Sequence, residues 1–148
     1  MRVSRGEIAR LIPHAGAMCL LDGVAEWDAR RVRAVSRTHL DPDNPLRSGG
    51  RLPAICGVEY AAQAMAVHGG LSGKVAGRPR AGYLAALRDV VCSEPWLDAH
   101  DGDLVVEAEL LLGDGERAMY GFTLRAGGTE ILSGRATVVL DAGAERPR

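Results

Sequence analysis

Lysine is nearly missing from this sequence. Lys74 is the only one, so positive charge is carried almost wholly by arginine. The charges balance to a formal net of -1, which argues against the concentrated basic face that nucleic acid requires. Cysteine is scarce as well. Cys19, Cys56 and Cys92 are far apart, odd in number and form no Cys-x-x-Cys pair. They indicate neither a zinc site nor a disulfide framework and fit a reducing compartment. No stretch approaches the roughly 18 apolar residues of a membrane-spanning helix. The opening "MRVSRGEIARLIPHAG" lacks the apolar core of a signal peptide. A soluble, cytoplasmic protein is expected. "DPDNP" lacks the glycine and distal glutamate of a calcium loop, "RSGGR" lacks phosphate-loop spacing, and Ser48, Ser72 and Ser133 lack a nucleophile elbow.

What is present is ordinary for a globular chain: 47% hydrophobic and 25% charged residues in 148, enough for one core. A single domain over residues 1–141 is expected, with "AGAERPR" as a disordered tail. "SRGEIARLI" reads as a short helix, with Ser4 and Glu7 forming a capping box and Pro13 as its stop. "MCLLDGVAEWD" and "RRVRAVSRTH" read as two strands joined through Asp28 and Ala29. In the second, Val32, Ala34 and Ser36 alternate with Arg31, Arg33, Val35 and Arg37. "LDPDNPLRSGGRLP" is turn chemistry. A long apolar helix follows from Pro53, and Gly69, Gly70, Gly73 and Gly77 read as its flexible end. "AGYLAALRDVVC" is a strand candidate whose alanines and leucines would also suit a helix. "DLVVEAELLL", "AMYGFTLRA" and "EILSGRATVVLD" are strands, the last two meeting at a Gly127-Gly128 hairpin. One central helix with a mostly antiparallel sheet is an α+β pattern.

The helix segment "LPAICGVEYAAQAMAVHG" contains a single carboxylate, Glu59. Apolar residues recur on every side of it, the pattern of a buried helix. A carboxylate buried without a partner takes up a proton instead of staying charged. Glu59 is therefore read as a carboxylic acid of raised pKa and a proton donor; the alternative is an edge residue that reaches solvent or pairs with an arginine. Gln63, one turn on, lies close enough to hydrogen-bond it. N–H groups at the helix start, around Ala54, Cys56 and Gly57, are candidates for binding a carbonyl oxygen as negative charge develops.

Acid chemistry needs a base. His68 projects from the opposite side of the helix, His100 lies in a surface turn, and His39 ends a strand beside polar turns, where solvation is expected. His14, in "IPHAGAM", has small neighbours that leave room for a ligand.

"LIPHAGAMCLLDGV", "LPAICGVEYAAQAMA" and "GDLVVEAELL" together resemble the 3-hydroxyacyl-carrier-protein dehydratases of the hot-dog fold. The chain is most similar to the small dehydratases of aryl-polyene clusters, and Pro53, Glu59 and Gln63 form its most specific pattern. The resemblance implies a curved antiparallel sheet wrapped around one long helix. It also implies at least a homodimer paired through the sheets, with "GYLAALRDV" at the edge and Tyr83 and Leu84 near the interface and the acyl passage. It implies Glu59 as the acid, an acyl carrier protein bearing a phosphopantetheine-linked chain as partner, and neither a metal nor a redox cofactor. One departure matters. The fatty-acid enzymes carry a histidine base just before the helix, where this chain has "DNPLRSGGRLP". Either His14 is the base or the chain is a relative with altered or lost activity, since His14 also matches a second, non-basic histidine of those enzymes. A hot-dog thioesterase and a non-catalytic acyl-binding or heterodimer partner are the alternatives.

Overall fold

The computed structural model describes residues 2–12, 16–75, 81–114 and 116–141. Of Ala17, Lys74, Val75, Ala81, Gly82, Tyr83, Leu140 and Asp141 it describes the backbone only. The expected tail, the Pro13 stop, Gly77 and His14 lie outside the described residues.

The chain opens with a two-residue strand, β1 (Val3–Ser4), and helix α1 (Arg5–Leu11). The capping box forms as expected: the Ser4 hydroxyl accepts the Glu7 N–H, and the Glu7 carboxylate accepts the Ser4 N–H at 2.9 Å. Strands β2 (Gly23–Trp27) and β3 (Arg31–Ser36) follow. Asp28 closes their turn by accepting the N–H groups of Arg30 and Arg31, and these bonds hold its carboxylate below the usual range. Along β3, Val32, Ala34 and Ser36 are buried while Arg31 and Arg33 are exposed.

A 3-10 turn at Ala54–Cys56 leads into the long helix α2 (Gly57–Val75), so Pro53 caps that turn and lies outside the helix proper. Gly69, Gly70 and Gly73 are helical, which corrects the reading of a flexible end. The reason is tertiary: Gly70 meets α1, where a Cβ would stand 3.2 Å from Leu11. Close approach also explains Gly57, where a Cβ would fall 2.8 Å from methyl groups of Leu124 and Leu132.

Strands β4 (Ala81–Cys92), β5 (Leu104–Gly113), β6 (Arg117–Ala126) and β7 (Thr129–Asp141) complete the chain. Gly127 and Gly128 turn β6 into β7 at φ of +57° and +85°, values only glycine adopts freely. All seven strands form one antiparallel sheet in the order β1-β2-β3-β5-β6-β7-β4. Its inner face, including Val106, Ala108, Tyr120, Phe122, Leu124 and Leu132, packs against α2. One long helix wrapped by a curved sheet is the hot-dog arrangement.

Candidate active site

Glu59 lies in the first turn of α2. Tyr60, Ala61, Gln63, Ala64, Met65, Val67 and His68 are buried around the helix, whereas Val58, Glu59, Ala62, Ala66 and Gly69 are only half-buried. These five positions recur at helical spacing and form one stripe that the sheet leaves open. The expectation of a helix enclosed on all sides is corrected accordingly, and Glu59 is half-buried, not fully buried. Its carboxylate makes no hydrogen bond or ion pair with the described residues. Ile55, one turn before it, is 53% exposed. Burial pushes the neighbouring Cys56 thiol up, and the negative charge of Glu59 adds to the effect. Cys56 is therefore a poor nucleophile.

The sheet's end by this stripe is also open. β4 forms its last strand, and Leu84, Leu87 and Val91 are 37%, 40% and 54% exposed. Leu84 and Leu87 pair with Val138 and Ala136 on the helix-facing side. Tyr83 lies on β4 opposite Val139, but its side chain is outside the described residues.

The N–H groups at the helix start already have partners within the fold. The Ala54 N–H donates to the Pro95 carbonyl at 2.9 Å, the Cys56 N–H to the Pro53 carbonyl at 3.0 Å, and the Gly57 N–H to the carbonyls of Ala54 and Ile55. The Cys56 and Gly57 donors are spent on the turn that starts the helix and the Ala54 donor on a remote segment, and Ala54 and Gly57 are buried packing positions. Gln63 also differs from expectation, because its amide does not meet Glu59. Its oxygen accepts the Leu20 N–H at 2.9 Å and its NH2 donates to the Met18 carbonyl at 2.6 Å.

Sequence reasoning missed a neighbouring network. The Tyr60 hydroxyl, fully buried beside Glu59, bonds Thr38 at 2.8 Å and accepts from the Asn44 amide at 3.0 Å. Thr38 and Ser36 both donate to the Leu20 carbonyl. Helix α2 is thereby tied to the 38–44 loop and to residues 18–20. Asn44 in the "DNP" turn was the available signal: a polar residue before proline, with an amide able to bridge both sides.

His14 lies outside the described residues. His39 is fully buried, which corrects the solvated reading: its Nε2–H donates to the His100 carbonyl at 2.8 Å, and its Nδ1 has no partner among the described residues. His68 faces away from Glu59 into the core, bonding the Tyr120 hydroxyl at 2.7 Å and the Asp28 carbonyl at 2.9 Å. Since a carbonyl only accepts, Nε2 of His68 carries the proton and Nδ1 accepts from Tyr120. His100 sits 3.5 Å from Glu94. Among the described residues no group of three His, Cys, Asp or Glu side chains is placed to hold a metal ion, and no helix is long and apolar enough to cross a membrane. A cavity of about 780 Å³ opens on the outer face of the sheet among Arg31, Arg33, Glu107, Glu109 and Arg135, on the side away from α2. The site around Glu59 is thus a half-open carboxylate on an apolar stripe, beside an uncovered sheet edge.

The comparisons with known proteins agree with this geometry. No curated protein matches the chain. Among solved structures, the dehydratase heterocomplex ApeI:P from Xenorhabdus doucetiae is similar at 26% identity and a TM-score of 0.80, over 90% of each chain. A thioesterase from Haemophilus influenzae is similar in fold, at 13% identity and a TM-score of 0.61, over 93% of this chain and 90% of that one. The PaaI protein of the phenylacetic acid degradation operon of E. coli shares the fold at 11% identity and a TM-score of 0.62, over 91% and 88%. The ApeP dehydratase family model matches residues 6–145, and the chain belongs to this ApeP-like family of dehydratases.

Proposed function

We propose that the chain dehydrates a 3-hydroxyacyl thioester carried by an acyl carrier protein, giving the trans-2-enoyl thioester, in the assembly of an aryl polyene or a related chain. The observation that carries this reading is Glu59: a carboxyl with no partner among the described residues, at the start of an apolar stripe, in a member of a dehydratase family. The thioester carbonyl acidifies C2. A base removes the C2 proton, and the electrons of that bond form the C2–C3 double bond. The C3–O bond breaks as Glu59, in its protonated form, delivers its proton to the departing hydroxyl, which leaves as water. Acid–base help of this kind contributes about 10²–10⁴ in rate. The two proton transfers, from C2 to the base and from Glu59 to the leaving oxygen, accompany formation of the double bond and cleavage of the C3–O bond.

The base is either His14 or a histidine supplied by a second subunit. The second source is supported by the uncovered edge at β4 and by the similarity to a heterocomplex of dehydratase chains. On this reading the acyl chain lies along the Ala62, Ala66 and Gly69 stripe, between α2 and the apolar side chains Leu84 and Leu87, and the partner closes the passage.

The test is incubation with a 3-hydroxyacyl carrier protein followed by intact-mass measurement. A carrier lighter by one water supports the dehydratase. Release of free acid identifies a thioesterase in which Glu59 activates water. An unchanged carrier, with a candidate partner subunit also present, points to a non-catalytic role.

A further inference from the structure

The outer face of the sheet carries charge in an order that inverts about one strand. β6 lies between β5 and β7. Glu109 on β5 stands opposite Gly121 on β6, and Gly121 stands opposite Arg135 on β7. The glycine thus has a carboxylate on one side and a guanidinium on the other. The next strands outward reverse the signs. Arg31 on β3 meets Glu109 at 3.4 Å, and Asp89 on β4 meets Arg135 at 3.9 Å. From β3 to β4 the order is therefore plus, minus, neutral, plus, minus. These four side chains are 43% to 72% exposed.

The same face has an apolar end. Along β6, Ala118, Tyr120 and Phe122 are buried, so Met119, Gly121 and Thr123 point outward. Leu112 pairs with Met119, and Met119 with Thr137. A register shift in β5 between Leu110 and Leu112 inserts Leu111 as an extra residue, which re-aims the side chains around it. Leu111 lines the outer cavity beside Gly121, and Leu111 and Leu112 are 42% and 67% exposed. Contiguous exposed apolar surface marks an interaction site.

A second copy turned about an axis along β6 lays this face on its own image. Glu109 of each copy then meets Arg135 of the other, and Arg31 of each meets Asp89 of the other. Gly121 meets Gly121 on the axis, Met119 meets Met119, and Leu112 comes onto Thr137. Such self-complementarity is what an isologous two-fold interface requires, and sheets pack face to face with their strands nearly aligned. A partner of one sign would meet like charges as often as opposite ones.

We propose that the outer face of the sheet is a self-association surface, on which a second copy of this chain packs with Glu109 and Arg135 matched across a two-fold axis along β6. The surface lies on the side away from α2 and leaves both strand edges free, so it is independent of the reaction assigned to Glu59.

The experiment uses the full chain, Glu109→Arg and Arg135→Glu, each checked for an unchanged melting curve and followed by analytical ultracentrifugation over a concentration series. Each single variant sets like charges against each other at two places in a pair of identical copies, so its mass should fall to half that of the wild type. An equimolar mixture restores both contacts, because Arg at 109 of one variant meets Glu at 135 of the other, and the full mass should return. Glu109 and Arg135 have other partners within one copy, so this rescue reads contact between copies alone. Leu112→Asp, at a position exposed to solvent, should also halve the mass and serves where a charge variant fails to fold. Equal masses for the wild type and the single variants, a mixture that stays at half mass, or a Leu112→Asp protein of full mass overturns the proposal.

Discussion

The side-chain oxygen of Gln63 accepts the backbone N–H of Leu20 at 2.9 Å, one turn beyond Glu59. With its second bond, to the Met18 carbonyl, this amide satisfies two backbone groups at the segment that follows the Gly16–Met18 turn. Replacing Gln63 with leucine leaves both unpaired, at a cost of about 2–4 kcal/mol. The expected result is a melting temperature lower by several degrees. If Gln63 held substrate instead, KM would rise while stability stayed constant, and a paired melting and kinetic measurement separates the two.

Glu59→Gln tests the acid directly. The amide keeps the shape of the side chain but has no proton to give, so turnover falls by about 10²–10⁴ with the fold intact. Wild-type turnover in a folded Glu59→Gln protein would remove Glu59 from the mechanism.

Two buried histidines set an acid limit on stability. Burial holds both His39 and His68 below the ordinary histidine value of 6.5. In the unfolded chain they take up protons near that value, whereas in the fold they stay neutral to lower pH. The unfolded state therefore binds more protons in this window, and their contribution is complete above about pH 6.5 and lost as pH falls below it. Urea midpoints should drop between pH 7.5 and 5.5, and His39→Gln should flatten the slope. A slope unchanged by His39→Gln would assign the effect to His68 or to other groups.

Glycines in the core differ in what they tolerate. A Cβ at Gly134 would fall 2.8 Å from the tip of the Phe122 ring and 3.1 Å from Val90. A ring cannot swing aside in a packed sheet, so Gly134→Ala costs about 1–3 kcal/mol. At Gly57 the obstacles are the ends of two leucine side chains, and alanine regains up to about 1 kcal/mol of helix propensity. Gly57→Ala should therefore be the milder change in urea unfolding.

Much of the fold was legible because its signals are local. The Ser4–Glu7 box, the alternation along β3 and the Gly127-Gly128 hairpin each depend on neighbours within a few residues, and each formed where expected. Gly69, Gly70 and Gly73 misled because their helical state is imposed from outside, in part by α1 packing on Gly70. His39 misled similarly: the His100 carbonyl that its ring bonds is remote in sequence. At the site, Glu59 stood out as a lone carboxylate. The fate of the helix-start N–H groups was not legible, since the Ala54 donor is taken by Pro95, a residue far along the chain.

The position of β4 in the sheet has a consequence during synthesis. Its one strand neighbour is β7, the last strand of the chain. At a translation rate of about 5–20 residues per second, β4 leaves the ribosome roughly 2–10 s before that neighbour is complete. Through that interval its apolar side chains have nothing to pair with, and α2 lacks part of its cover. Translation stopped just before Thr129 would delete one strand from the sequence yet leave two places in the sheet unfilled.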